Sequence, residues 1–467
     1  MKNIILLLLL IISLFLNACA PKKAMLKVDT LIASGEYKRA AEFSDSQIDK
    51  EDFYDIDNLL WYLNSGSSYA YADDSISSIK SFDNSEHLMK HFREQLLAND
   101  ISQTLKSTLL NDTTRPYKGT EYDGIMVNTY KAIEYMSKDD MSGARVEFNR
   151  AIDRQRRAKI FFNKMIQKEK DAIKQEEKER AKKGENFTIS DSTLTNTLNS
   201  HYPNLHSFEA YPDFVNPMTT YLAAIFAQSQ NDTSKAQTLL KESFFMMKNN
   251  EDVRADFEGK RDKQMVWIIF ENGQAPILKE FRVDFPMWIF SNNLSYISVA
   301  LPKLIERSSA FSYLNISVND NNIKTKYLCS MENIIKTEFT KSYEATVRRA
   351  ILSAATKAAI SYTANKKSKN TDGELLVNLV SALYQIASTR ADTRIWSTLP
   401  KEFQLARFSR PSDGKITIYT PNNRLVKELH LPNKNNILIY VKIATSNTLA
   451  SVKVIPFGND KYTRKIK

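Results

Sequence analysis

Val266-Trp267-Ile268-Ile269-Phe270 is an unbroken apolar run, and it marks the point where the hydrophobic period of the chain changes. A short apolar stretch rich in β-branched and aromatic residues, bounded by turn residues, reads as a buried strand. Glu271-Asn272-Gly273 follows as a turn, and from Ile277 to Phe285 the apolar Leu278, Phe281 and Val283 partly alternate with Lys279, Glu280, Arg282 and Asp284. The pattern predicts a hairpin-like pair of strands. Further strands are expected at 295–301, 313–318 and 323–329, with Asn319-Asp320-Asn321-Asn322 as a turn, and then at 403–408, 415–420, 436–445 and 450–456. Asp413-Gly414 reads as a hairpin turn.

Between these strands the helical period returns. Met331 to Asn365 carries a narrow face of Ala350, Ala354, Ala355, Ala358 and Ala359, and Leu375 to Ala387 is a second, more apolar helix after a break at 366–373. The first bears Lys336, Glu338, Lys341, Glu344, Arg348, Arg349 and Lys357, and burying such charges in hydrocarbon costs ~2.5–3.5 kcal/mol each. The second falls short of the roughly 20 residues a bilayer needs. The two are expected to pack on one another as a hairpin in water.

Upstream, from Ala24 to about Ile166, apolar residues recur every three or four positions, as in consecutive amphipathic helices. Degenerate tetratricopeptide (TPR) units lie within them, pairs of antiparallel helices with small residues at the contact and aromatics in the gaps. One starts at Ala33-Ser34-Gly35-Glu36-Tyr37-Lys38-Arg39-Ala40, a second has Gly66, Tyr69, Ser78, Phe82 and Ser85, a third Ala132, Tyr135, Ala144, Phe148 and Ala151, and a weaker fourth Ala224, Ala227, Ala236, Leu240 and Ser243. The small residues at 40, 78, 144 and 236 are separated by 38, 66 and 92 positions, so the array is irregular. The fold class expected is α+β. A TPR-like solenoid spans 19–260, a small β-sandwich-like domain spans 264–330 plus 401–460, and a helical hairpin is inserted at 331–400.

Residues 154–183 hold twelve Lys or Arg and five Asp or Glu, so seven of the net +11 charges of the 467-residue chain sit in this arm. Two readings stay open: a solvated helix braced by pairs such as Glu176 to Arg180, or a basic arm resting on phospholipid or lipopolysaccharide phosphates. Gly184-Glu185-Asn186 ends it, and 186–204 reads as a polar insertion.

The beginning of the chain gives the location. Lys2, an apolar run from Ile4 to Phe15 and Leu16-Asn17-Ala18-Cys19 form a signal segment over 1–18 that ends in a lipobox, with Cys19 as the lipidation site. The run is too short to span ~30 Å of hydrocarbon and fits an export signal. Ala20 after the cysteine points to the outer membrane, with the body facing the periplasm. Once Cys19 is acylated only Cys329 remains, which excludes an intrachain disulfide and leaves a buried thiol as its plain reading. An exported basic chain has anionic neighbours, but nucleic acid is not among its expected partners.

At Val266 to Pro276, at Ser298-Val299-Ala300-Leu301-Pro302-Lys303 and at Arg390 to Pro400, together with the Tyr-centred helices at 117–155, the chain resembles a family of bacterial outer-membrane lipoproteins with tetratricopeptide-like helices and no assigned activity. The resemblance implies a triacylated Cys19 and other small envelope lipoproteins as companions, including kinds tied to wall synthesis or the flagellar base. The segment between the two helices of the hairpin is poorer in glycine than the family leads one to expect.

The sequence offers no catalytic constellation, cofactor site or metal site. His87 and His91 share a helix face, but His-Leu-Met-Lys-His lacks the glutamate of a zinc peptidase, and no phosphate loop, serine elbow or Cys-x-x-Cys occurs. Trp267, Trp288 and Trp396 are expected in the core, although such rings could also stack on carbohydrate. The function expected is a lipid-anchored envelope scaffold or adaptor, not an enzyme, that binds envelope proteins through its repeat helices. The alternative is a membrane-active or peptidoglycan-associated lipoprotein.

Overall fold

A computed structural model describes residues 20–98, 116–182, 196, 199–200, 202–203, 215–286, 296–319, 321–368 and 390–458. The expected signal segment, Cys19, the second helix of the hairpin and Trp288 lie outside the described residues. In chain order the helices are α1 (Ala20–Ala33), α2 (Tyr37–Ser46), α3 (Asn58–Tyr71), α4 (Ser75–Ala98), α5 (Glu121–Ser137), α6 (Met141–Lys182), α7 (Pro217–Ser229), α8 (Thr233–Met246), α9 (Glu251–Phe257) and α10 (Met331–Ser368). The strands are β1 (Met265–Asn272), β2 (Ile277–Pro286), β3 (Tyr296–Ile305), β4 (Asn315–Val318), β5 (Asn321–Lys324), β6 (Lys326–Ser330), β7 (Glu402–Ser409), β8 (Lys415–Tyr419), β9 (Leu425–His430), β10 (Asn436–Ile443) and β11 (Ser451–Phe457).

The first eight helices form four pairs joined by one kind of turn. Gly35, Asp73, Asp139 and Asn231 all have φ between 60° and 76°, a left-handed conformation that only Gly, Asn and Asp adopt at little cost. The next residue each time donates its backbone N–H to the carbonyl five positions back: Glu36 to Leu31, Asp74 to Tyr69, Asp140 to Tyr135 and Asp232 to Ala227. In the last three turns that residue also caps the second helix, its carboxylate accepting from the N–H of Ser77, Gly143 and Lys235. Five residues after each left-handed position come Ala40, Ser78, Ala144 and Ala236, all buried where the helices touch. Successive pairs then stack through α2 on α3, α4 on α5 and α6 on α7.

The strands build a five-stranded sheet in the order β11-β10-β1-β7-β6, a four-stranded sheet β5-β4-β8-β9 and a two-stranded ribbon β2-β3. β1 is central and buried along its whole length. Val266, Ile268 and Phe270 share a core with Ile316 of β4 and Ile418 of β8, whereas Met265, Trp267 and Ile269 pack into the core that holds Tyr130, Met218 and Tyr221 of the helices. Side chains alternate across a strand, so one apolar run serves two cores. The result is three layers: helices, five-stranded sheet, four-stranded sheet. Strands from before and after α10 interleave in the five-stranded sheet and meet at β4-β8 in the four-stranded one, and the helix-facing core runs without a break from Leu59 to Phe457.

Three expectations are corrected. β1 and β2 do not form a hairpin: β1 lies parallel to β10 and antiparallel to β7, and β2 pairs with β3 from Ile277↔Ile305 to Pro286↔Tyr296. A strand apolar on both faces needs cover on both sides, whereas the half-charged β2 suits a ribbon with a wet face. Asp413-Gly414 carries the chain from one sheet to the other, and the hairpin of this region is β8-β9, whose second strand was not expected. Finally, the charged helix is not solvated on every side: Ala172 and Ile173 in its outer half are buried, and Ile173 packs on Leu352 of α10.

Gly66 shows how closely the pairs are packed, since a Cβ built there would lie 2.7 Å from the Phe82 ring. Gly66→Ala is expected to destabilise the fold by about 1–3 kcal/mol through overpacking. Phe82→Leu should relieve that clash, so urea unfolding of the double variant should show a loss smaller than the sum of the two single losses.

Candidate functional site

The inner faces of α3 and α5, which a repeat solenoid would offer to a partner, are covered from within by residues 394–399. Trp396 is fully buried beside Phe82 and Tyr130, with ring centroids 5.9 Å away in each case. Its indole N–H donates to Thr398 Oγ1 at 2.8 Å, and the Thr398 and Ser67 hydroxyls are 2.6 Å apart. Tyr71 donates to the Thr398 carbonyl at 3.2 Å. On either side, Arg394 reaches Asp57 at 2.8 Å and the Ser397 hydroxyl donates to Asp29 of α1 at 2.7 Å. One irregular segment thus fastens α1, α3, α4 and α5 to the sheet.

Below it lies a buried polar cluster. Glu271, at the end of β1, is the register partner of Lys442 on β10. Its Oε1 accepts from Tyr130 at 2.7 Å and from Tyr440 at 2.5 Å, and the Tyr71 hydroxyl is 3.0 Å from that of Tyr130. Lys442 stands 3.7 Å from Oε2, donates to the Gly273 carbonyl at 3.1 Å and lies over the Tyr71 ring. Burial depresses the Lys442 ammonium to about 8, with Glu271 pulling in the opposite direction, and burial together with Glu271 pushes the hydroxyls of Tyr71, Tyr130 and Tyr440 well above their ordinary range. Such shifts often mark catalytic groups, but Glu271 and Lys442 are sealed at 0% and 1% side-chain exposure. The geometry supports a pin between helices and sheet. Lys453 of β11 and Glu134 of α5, 2.7 Å apart, make a second one.

A third cluster joins the second and third helix pairs. Buried Lys131 reaches Asp83 at 2.8 Å, Glu86 at 2.5 Å and Glu147 at 3.1 Å, while Arg154 bonds Glu86 at 2.9 Å and Asn128 at 2.6 Å. Burial would raise the Glu86 carboxyl, but Lys131 and Arg154 outweigh it and hold the group down at about 2. At the start of α5, Thr120 and Asp123 cap the helix reciprocally, and Glu338 of α10 accepts from the Glu121 N–H at 3.1 Å. Burial raises Asp123 to about 6 and drives Glu338 well above the carboxylate range. α10 is therefore tied to the helical layer at its base and to α6 further out, by Arg349 with Glu169, by Lys170 with Glu344 at 2.9 Å, and by Leu352 on Ile173.

The residues singled out by sequence fall as follows. His87 and His91 both flank Tyr54, with His87 Nε2 3.3 Å from its hydroxyl and the His91 ring at 4.0 Å, and no group of three His, Cys, Asp or Glu among the described residues is placed to hold a metal. Cys329 is buried and free, its thiol pushed up by burial. Trp267 is buried and donates to Asp256 at 2.9 Å, so it and Trp396 are core residues. The clusters around Glu271, Lys131 and Glu338 were not foreseen. The available signal was a lone charge inside or just after an apolar strand, Glu271 in β1 and Lys442 in β10.

Stability should report the Lys442 pin. Above pH 8 the native lysine sheds its proton while the unfolded chain keeps it up to about 10.5, so the unfolded state binds more protons and this group's contribution rises with pH across that window. From pH 8 to pH 9.5, unfolding free energies should shift by about 1–2 kcal/mol in favour of wild type relative to Lys442→Met. A difference that is flat with pH would show that Lys442 is not held as described.

Comparison of the chain with protein families, curated proteins and solved structures finds no match among any of them.

Proposed function

We propose that this chain is a lipid-anchored scaffold of the bacterial envelope, acylated at Cys19, held at the outer membrane and facing the periplasm, that brings other envelope proteins together without catalysis. The four helix pairs constitute the TPR-like solenoid of this reading, and the two sheets that share a core constitute its β-sandwich-like part. The observation that carries it is the combination of a body whose inner helical faces are filled by its own residues with a braced arm. α6 has 42 residues, about 63 Å at ~1.5 Å per residue, and α10 with 38 residues runs against it. A rigid arm on a rigid body suits holding partners at a distance.

A bilayer-spanning use of α10 is disfavoured by its buried Lys336, Glu338, Arg349 and Lys357. No helix among the described residues is long and apolar enough to cross a membrane.

Two measurements test the proposal. Labelled palmitate should enter the wild-type protein, and Cys19→Ser should abolish labelling and move the chain out of the membrane fraction; wild type that takes no label removes the anchor. A photo-crosslinking residue at exposed Phe245 of α8 or at exposed Ile76 of α4 should give discrete adducts with other envelope proteins in living cells, whereas one at buried Ser67 should give none. Adducts at Ser67 but not at the two exposed positions would overturn the idea that partners meet the outer surface.

A further inference from the structure

The contact between α6 and α10 sorts the charges of the arm. Of its five acids, Glu169 is turned toward α10 and paired with Arg349, and Glu176, Glu177 and Glu179 are half-buried. The opposite side is different. Arg156, Ile160, Lys164, Lys174, Lys178 and Lys182 fall on one line along the helix, at spacings that sum threes and fours, and each is exposed. Gln167 and Asp171 complete the line, with Gln167 donating to Asp171 at 2.9 Å. Arg156 is 3.9 Å from Glu242 of α8 in a solvent-exposed pair, and Ile160 is 72% exposed. From Arg156 to Lys182 the line runs about 39 Å at ~1.5 Å per residue.

We infer that this outward line of α6 is a docking face for an anionic phospholipid surface. Five cations and one acid spaced along a convex helix face match a flat field of negative charge, not a point ligand, for which the described residues supply no enclosing wall. The exposed Ile160 adds an apolar contact of the kind that interfacial helices bury at the headgroup boundary. The choice of lipid over another polyanion rests on the anchoring reading above, since a chain tethered at Cys19 has a leaflet within reach. The face has a mechanical effect too: with the acyl chains at one point and α6 at another, the body is held at two points and fixed in orientation.

The test uses the chain from Ala20 onward, which carries every described residue and no acyl group, so its result does not depend on lipidation. Vesicles of equal parts phosphatidylcholine and phosphatidylglycerol should bind it, pure phosphatidylcholine should not, and binding should weaken steeply as salt shortens the Debye length from ~14 Å at ~50 mM to ~4 Å at ~500 mM. Each cation near an anionic surface adds to the attraction, so Lys164→Gln, Lys174→Gln, Lys178→Gln and Lys182→Gln together should lower partitioning more than about tenfold. The control of equal charge change, Lys50→Gln, Lys80→Gln, Lys415→Gln and Lys427→Gln, alters exposed lysines away from α6 and should leave partitioning within about twofold. All eight side chains are exposed, so both variants should melt like wild type. Equal losses in the two variants would reduce the effect to net charge, and absence of binding to the mixed vesicles would remove the face; either overturns the inference. So would heparin binding that is as tight as vesicle binding and equally dependent on the line, since it would replace the lipid by a soluble polyanion. Palmitate labelling fails or succeeds independently of all these outcomes.

Discussion

Everything else in the structure depends on β1 being covered on both faces and bonded on both edges. Val266, Ile268 and Phe270 commit one face to the four-stranded sheet, and Met265, Trp267 and Ile269 commit the other to the helices. Each fully buried side chain of this size contributes about 1.5–3 kcal/mol, and neither core closes without the other because they share a backbone. The price of that economy is Glu271: an acid at the end of a sealed strand needs partners, and Tyr130 of a helix and Tyr440 of a neighbouring strand donate to its Oε1, while the Lys442 ammonium stands 3.7 Å from Oε2. Polar pairing thereby sets which helix faces which strand, a specificity that apolar contact alone does not provide.

The paired helices were legible because their turns impose a local chemical demand. A left-handed residue admits few side chains, in three of the four turns (Asp73-Asp74, Asp139-Asp140 and Asn231-Asp232) a capping acid follows it, and the small residues five positions after each left-handed residue follow from helix contact. Alternation along β4 and the apolar runs of β7, β10 and β11 likewise located strands.

Pairing was not legible. Which strands neighbour β1 is decided by residues 130 to 170 positions away, and nothing near Gly273 announces that the chain leaves the sheet there. β9, with Lys427 and Glu428 exposed on an edge, carries too little apolar character to declare itself. The polar pins were missed for a related reason: Lys131, Glu147 and Glu338 sit at ordinary helical positions, and only tertiary packing turns them from surface charges into buried ones. For the arm, composition indicated an excess of positive charge, but only the partner helix α10 showed on which side the acids would be taken up.

The placement of Trp396 has a consequence in time. Its partners Ser67, Phe82 and Tyr130 precede it by more than 260 residues, and β1 waits for strands that leave the ribosome more than 130 residues after it. Contacts of such sequence separation form slowly. The helical layer of a nascent chain therefore displays the apolar faces of α3 and α5 until the last fifth of the polypeptide has been made. A chain that cannot finish its core early keeps apolar helix faces uncovered during synthesis, and it needs protection from aggregation until its C-terminal strands arrive.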